Sequence, residues 1–289
     1  MISYAQNRED VVLARALPGG SGFYVDVGAA SPVHHSVTKH FYDAGWCGIN
    51  VEPLAAWHVE LRAQRPRDVN LQIGCSDQEG TLELFDVSQT AMEESTFSPE
   101  AATELRERGL EPQIREVPVT TLAAICREHA PQTIDFLKVD VEGWELPVLR
   151  GADWRRWRPR IVVVEATRAG SKSEGSASVA RFMAEVGYER ALFDGLNCFF
   201  AEREDVELRD RLSVPANVYD DYEIAETVEA LERVEELERE LAAAAPRLAQ
   251  LKQRLELAQV GMAAARREAL DAELQARTAR EALERQLAE

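Results

Sequence analysis

The sequence predicts an α/β fold built on a mostly parallel sheet, followed by a helical coiled coil. Three observations predict it. Gly22-Phe23-Tyr24-Val25-Asp26-Val27-Gly28-Ala29-Ala30-Ser31 reads as a buried strand entering a tight turn, because its core is aromatic and β-branched and a glycine follows at once. The pattern of an apolar strand ending in acids recurs at Gly48-Ile49-Asn50-Val51-Glu52-Pro53 and at Ile134 to Gly143, with helically spaced segments between. Beyond about residue 222 the texture changes to Glu, Ala, Leu and Arg on a seven-residue repeat.

Taken in order, the first helix falls within residues 2–17, where Val11, Val12, Leu13 and Leu17 form an apolar stripe stopped by Pro18-Gly19-Gly20. The strand ending at Gly28 comes next. Ser36 to Ala44 has helical spacing, with Gly45 placed to cap it, and Trp46 to Val51 is a second buried strand. Pro53 suits the opening of a helix carrying Trp57, Val59 and Leu61. Val69 to Ile73 makes a third strand, and Thr81 to Val87 and Arg115 to Val119 alternate as strands do. Residues 88–112 are polar and irregular apart from a helical piece near Pro99 to Arg108, a length that suits a segment covering a ligand. Thr120-Thr121 caps a helix through Cys126. The acidic strand 134–143, a helix from Glu145 to Arg150, and the apolar strand Arg160 to Ala166 follow. A flexible loop is expected at 170–176, then a helix from Ala177 to Val186. Two late strands, about 188–193 and 197–202, turn at Asp194-Gly195 and supply an antiparallel edge.

The heptad register places Val234, Leu241, Leu248, Leu255, Met262 and Leu283 at one seam position and Leu237, Ala244, Leu251, Ala258 and Ala265 at the other. Pro246 is expected to kink or split this helix. The domain division follows: 1–222 for the α/β domain and 223–289 for the helical extension.

A formal charge of −18 over 289 residues argues against nucleic acid and anionic membrane as partners, since both need clustered Lys and Arg. Cys47, Cys75, Cys126 and Cys198 show no CxxC pairing and read as reduced, structural thiols. With no leader-like N-terminus and no membrane-length apolar run, the expected location is the cytoplasm. No HExxH, Cys/His cluster or Walker loop is present, so protease, zinc and NTPase chemistry are poor readings and no metal site is assigned.

The motifs resemble one family, the FkbM-type S-adenosylmethionine-dependent methyltransferases. The resemblance is carried by Ser3 to Asp10, Tyr24 to Ala29, Gly45 to Pro53 and Asp135 to Glu145. Phe193-Asp194-Gly195-Leu196-Asn197 with Pro215-Ala216-Asn217-Val218 resembles a branch found with surface-polysaccharide genes. It covers about residues 1–222. It implies a Rossmann-like class I methyltransferase fold with a seven-stranded sheet, and S-adenosylmethionine as cofactor. It further implies that Asp26, Gly28 and Ala29 line the methionine and ribose side, that Glu52 takes both ribose hydroxyls, that Ser76-Asp77 meets the adenine amino group, and that Asp140 faces the methionine amine or the acceptor. Ala30-Ser31-Pro32 departs from the pattern, because many class members carry a second glycine there.

Each candidate has a plainer reading beside the functional one. Asp26 can cap a turn and Asp77 can form an Asx turn. Lys138 and Asp140 share a strand face and can deprotonate a hydroxyl, hold a divalent ion, or simply form an ion pair. Asp140 and Glu142 alternate in direction and need not share a pocket, and Glu142 can cap the next helix. His34 and His35 follow the cofactor loop, and His35 is the candidate general base. Tyr4, Gln6 and Asn7 are expected to fold over the cofactor.

The resulting expectation is an O-methyltransferase acting on a sugar hydroxyl in surface-polysaccharide or glycan biosynthesis. Its partners would be a glycan or other hydroxyl-bearing small molecule, with self-association or a glycosyltransferase reached through the C-terminal helix. Two rivals stand beside it. A nicotinamide-linked dehydrogenase needs a GxGxxG turn, and the chain offers only Gly28. A coiled-coil scaffold with an inactive methyltransferase-like domain would not need its acids at Asp26, Glu52 and Asp140.

Overall fold

The computed structural model describes residues 1–91, 94–166 and 177–286. The loop expected at 170–176 and the chain end at 287–289 lie outside the described residues. In chain order the elements are β1 (Ile2–Ser3), α1 (Glu9–Ala16), β2 (Phe23–Val27), α2 (Lys39–Asp43), β3 (Cys47–Val51), α3 (Ala55–Gln64) and β4 (Val69–Leu71). Next come β5 (Gly74–Ser76), β6 (Gly80–Asp86), α4 (Pro99–Glu107), β7 (Gln113–Thr121), α5 (Leu122–His129) and β8 (Phe136–Val139). The remainder are α6 (Glu145–Arg150), β9 (Ile161–Glu165), α7 (Ala177–Glu185), β10 (Tyr188–Phe193), β11 (Asn197–Glu202), α8 (Val206–Leu212), β12 (Glu223–Ile224) and α9 (Ala225–Gln286).

β2 forms because four aromatic or β-branched residues around Asp26 meet the pairing edges of two other apolar strands. It lies parallel between β3 and β8 in a seven-stranded sheet ordered β10-β11-β9-β8-β2-β3-β4. The sheet is mixed, which corrects the mostly parallel expectation. β4, β3, β2, β8 and β9 run parallel, whereas β11 lies antiparallel to both β9 and β10. The cause is local: the short turn at Asp194 joins β10 to β11, and a turn that short permits only antiparallel pairing. The expected third strand also divides. β4 stays on the main sheet, while β5 leaves to pair with β7 in a separate three-stranded sheet, β5-β7-β6.

The period of two along each strand sends alternate residues to opposite faces. Val25, Val27, Leu137, Val139, Val162 and Val164 belong to one buried cluster, and Tyr24, Phe136, Ile161, Val163 and Phe199 to the other. Caps fix several helices. Ser98 accepts a bond from the Ala101 amide at α4, Thr121 from Ala124 at α5, and Asp205 from Leu208 at α8. Pro53 lies ahead of α3 rather than in its first turn, because Leu54 is the extended residue before the helix. None of the four cysteines is in a disulfide, and three are buried.

The chain divides into two compact units, Met1–Ala225 and Glu226–Glu289. The second, described by itself, is helix: α9 runs without a break through Pro246, so the expected split does not occur. One proline removes a single amide donor, and in a helix of 62 residues the flanking turns hold the rod together. No helix of the described residues is long and apolar enough to cross a membrane.

Candidate active site

The site begins where β2 stops. Gly28 takes φ +80°, and a Cβ there would lie 1.7 Å from the Asp140 carbonyl oxygen, so glycine alone lets the two strand ends meet. The Gly28 amide donates to the Val51 carbonyl and the Asp140 amide to the Val27 carbonyl, locking the ends of β2, β3 and β8 together. Ala30, where a second glycine was looked for, adopts the left-handed backbone itself at φ +46°. For alanine that costs roughly 1–2 kcal/mol. Arg65, 1% exposed, donates through Nε to the Pro32 carbonyl and through Nη2 to Ser36 Oγ, pinning this loop from below.

Glu52, at the end of β3, is the focus of the recess beside Gly28. Its two carboxylate oxygens each accept one amide: Oε2 from Ala30 at 2.9 Å and Oε1 from Leu54 at 2.8 Å. Each oxygen keeps a lone pair, so the group can still take two hydroxyls. Burial pushes its carboxyl up to about 7 despite those amides. Around it lies a cavity enclosing about 550 Å³, part of it open to solvent. Its wall combines Gly28, Glu52, Asp140 and Glu142 with the apolar side chains of Leu54, Trp57, Ile73, Leu84 and Phe97. Ser95 and Phe97 come from the segment expected to cover a ligand, which Thr96 Oγ1 ties down by donating to the Glu142 carbonyl at 2.7 Å.

The structure therefore brings Gly28, Glu52 and Asp140 to one cavity. Ser76 and Asp77 do not line it; Ile73, Gly74 and Cys75 do. The reason is that β5 packs under the end of α6, where Trp144 Nε1 donates to Ser76 Oγ and a Cβ on Gly151 would strike the Ser76 carbonyl. Asp77 is exposed and accepts from Ser76 Oγ at 3.3 Å. Ala29 is buried, its amide donates to the Val51 carbonyl, and it does not line the cavity. His35 is exposed, has φ +55°, and bridges to Ala5, so its backbone joins the N-terminal segment to the loop rather than lining the recess.

Asp26 points to the other face of the sheet from Val27. It is 1% exposed, accepts from Thr38 Oγ1 at 3.1 Å, and lies 3.7 Å from Lys138 Nζ on the neighbouring strand. Burial raises its carboxyl, with Lys138 opposing. Lys138 Nζ is also 3.2 Å from Asp140. Burial works against its ammonium, but Asp140 and Asp26 outweigh that and hold it well above the usual lysine range. Lys138 is thus a fixed cation between two acids and not a proton acceptor.

One step further along the same face, the register sets Glu165 beside Asn197. Asp140, Glu142 and Glu165 offer carboxylate oxygens that lie within 4.8 Å of one another. Asp140 and Glu142, which the sequence left free to diverge, reach one cavity: β8 ends at Val139 and Glu142 turns left-handed at φ +53°. Burial and then Asp140 push Glu142 up to about 8, and the same causes in the same order push Glu165 up to about 12. Glu142 does not cap α6, which has no side-chain cap; just ahead of the helix the Gly143 amide donates to Glu145 at 2.8 Å.

Sequence reasoning missed Glu165 and Glu9. Glu165 carried the same signal as Glu52, an acid closing an apolar strand. Glu9 had none, since it is brought in by the fold: its carboxylate accepts from Asn197 Nδ2 at 2.5 Å and from the Asn7 amide at 2.9 Å. Burial pushes Glu9 up to about 7. Asn7 Nδ2 donates to the Asp194 carbonyl, so the N-terminal segment is fastened to the β10–β11 turn.

A largely parallel set of strands with a glycine turn after its central strand and a buried carboxylate ending the next is an arrangement found among nucleotide-binding α/β folds. Comparison with known proteins gives the family. The profile described as "Methyltransferase FkbM domain" matches residues 26–190, and the chain belongs to that family. S-adenosylmethionine is the cofactor this membership implies. The curated methyltransferase sdnD of Sordaria araneosa is 35% identical over 117 residues, covering 33% of this chain and 45% of that protein. The chain thus matches under half the length of this relative. A crystal structure of a SAM-dependent methyltransferase from Agrobacterium tumefaciens aligns at 11% identity and TM-score 0.28, over 67% of this chain and 60% of that one.

Proposed function

We propose that the 1–222 unit transfers the methyl group of S-adenosylmethionine to a hydroxyl oxygen, with a sugar as acceptor. The observation that carries this reading is Glu52: a buried carboxylate, held by two amides, with one lone pair per oxygen left at the wall of a largely apolar recess. That donor set fits the vicinal diol of a ribose, and the apolar wall fits a purine. When bound, the cofactor supplies an electrophilic methyl carbon on a sulfonium. The chain does the rest. Glu52 orients the nucleoside, Gly28 lets the cofactor approach the backbone, and Asp140, anchored by Lys138, accepts the proton that the acceptor hydroxyl releases. Asp26 acts from behind by holding Lys138.

The sugar and surface-polysaccharide assignment rests on the phrase around Asp194 and Asn197, and a cytoplasmic location goes with it. The test is calorimetric binding of S-adenosylhomocysteine to the purified chain, beside Glu52→Ala and with NAD as control, followed by a screen of nucleotide sugars and polysaccharide fragments. Micromolar binding that Glu52→Ala removes supports the reading. Binding of NAD instead turns the site into a dehydrogenase's, and no binding by folded protein favours a scaffold.

A further inference from the structure

We infer that α9 is a self-docking element, and that a second copy of this chain packs against it antiparallel, with the two-fold axis near Pro246. From Glu229 to Arg285 every residue of the helix is exposed, including Leu237, Leu241, Leu248, Leu251 and Leu255, at 46–71%. Apolar residues on a heptad seam are not left in water without cost, and two observations identify the occupant.

The first is charge. Residues 226–240 carry Glu at seven positions against Arg233 and Arg239, whereas residues 247–267 carry Arg247, Lys252, Arg254, Arg266 and Arg267 against Glu256 alone. The acidic block of one copy therefore complements the basic block of another. A parallel, in-register pair sets Arg247 beside Lys252 and Glu268 beside Glu273 in both copies, against one opposite-charge pairing, Arg233 with Glu238. The antiparallel pair has a single like contact, Arg247 with its copy at the axis. An antiparallel pair centred at residue 246 sets Glu238 against Lys252 and Glu240 against Arg254.

The second is the seam itself. In that same antiparallel register Leu237 meets Leu255, Leu241 meets Leu251, and Ala244 meets Leu248, each pairing occurring twice by symmetry. The charge match and the leucine match thus select one register independently. Pro246 falls at the heptad position farthest from the seam, so it does not obstruct the pairing. Past Met262 the seam positions are alanine until Leu283 while Leu270 and Leu274 lie off it, which confines the main contact to about residues 230–262. Burying these leucines contributes roughly the transfer free energy of a small core, which suits a dimer dependent on the charge match for orientation.

The experiment uses the full chain. Sedimentation equilibrium should give twice the chain mass, and Leu241→Asp with Leu251→Asp should return it to one chain without changing the far-ultraviolet helix signal of the folded unit. Reversing charge with Glu238→Lys and Glu240→Lys should weaken the dimer, and adding Lys252→Glu and Arg254→Glu should restore it. Orientation is read by oxidative cross-linking against the wild-type background. Ala245→Cys, next to the axis, should give a covalent dimer. Gln275→Cys should not, because antiparallel copies separate it by roughly 90 Å at 1.5 Å per residue. A single-chain mass at every concentration overturns the inference, as does cross-linking through Gln275→Cys, which would make the pair parallel. Cofactor binding is measured separately and is unaffected by either outcome.

Discussion

Glu52 and Glu165 each close an apolar strand of the same sheet, and their surroundings give them opposite character. Glu52 receives two backbone amides and faces a mostly apolar recess, so its carboxyl rises only to about 7. Glu165 sits among Asp140, Glu142 and Glu145, and its carboxyl is pushed up to about 12. A strand ending in an acid therefore announces a site without saying what the site does. The neighbours decide: amides leave a group ready to ionise and to accept hydroxyls, whereas crowded carboxylates hold a proton between them.

The comparison can be broken hardest at the cation that serves the acidic side. Lys138→Met should leave Asp26 buried without its counter-charge and destabilise the fold by about 3–5 kcal/mol, read as a lowered urea midpoint. Gly28→Ala comes next. Its Cβ would strike the Asp140 carbonyl, so the ends of β2 and β8 must separate, costing about 1–3 kcal/mol and weakening ligand binding. Both would leave stability unchanged if the strand ends were loosely joined.

Glu52→Gln keeps the shape but gives up the charge. Loss of charge-assisted bonds to two hydroxyls should weaken S-adenosylhomocysteine by about 1.5–3 kcal/mol, roughly 10- to 100-fold. Glu165→Gln should leave that binding within about twofold, since a protonated carboxyl and an amide are close in shape and charge. It should instead move the pH profile of methyl transfer, because it removes a proton-holding member of the cluster. An equal loss of binding in both variants would erase the distinction between the two acids.

Stability with pH follows from the same comparison. Glu9 and Glu52 are both raised to about 7 in the fold, so the unfolded chain releases these protons first, near 4.5. The unliganded fold binds more protons across that window, and its stability should fall as pH rises from about 4.5 to 7. Thermal melts at pH 5 and pH 7 check it; equal or rising stability from these groups would contradict it.

The part of the recess around Gly28 and Glu52 was legible because it is local. Val25 to Gly28 and Val51 to Glu52 each place a strand, an acid and a turn within a few residues, and both ended where the pattern put them. The surroundings of Glu9 were not, because they are assembled from distant pieces: Glu9 meets Asn197 across 188 residues. Strand geometry no longer applied at Glu142, where the strand had already ended, and at Ser76 the chain had left the main sheet for a smaller one. The antiparallel edge was readable from Asp194-Gly195, but its consequence, a mixed sheet, needed the neighbours of β11.

The most direct measurement is calorimetry of S-adenosylhomocysteine on the wild-type chain and on Glu52→Gln, at pH 6 and at pH 8. If ionised Glu52 holds the ribose, wild-type affinity should be several-fold weaker at pH 6, approaching tenfold per unit below its pKa, while Glu52→Gln should be weak at both. Wild-type affinity indifferent to pH, or undiminished in Glu52→Gln, would contradict the assignment of that carboxylate to the cofactor.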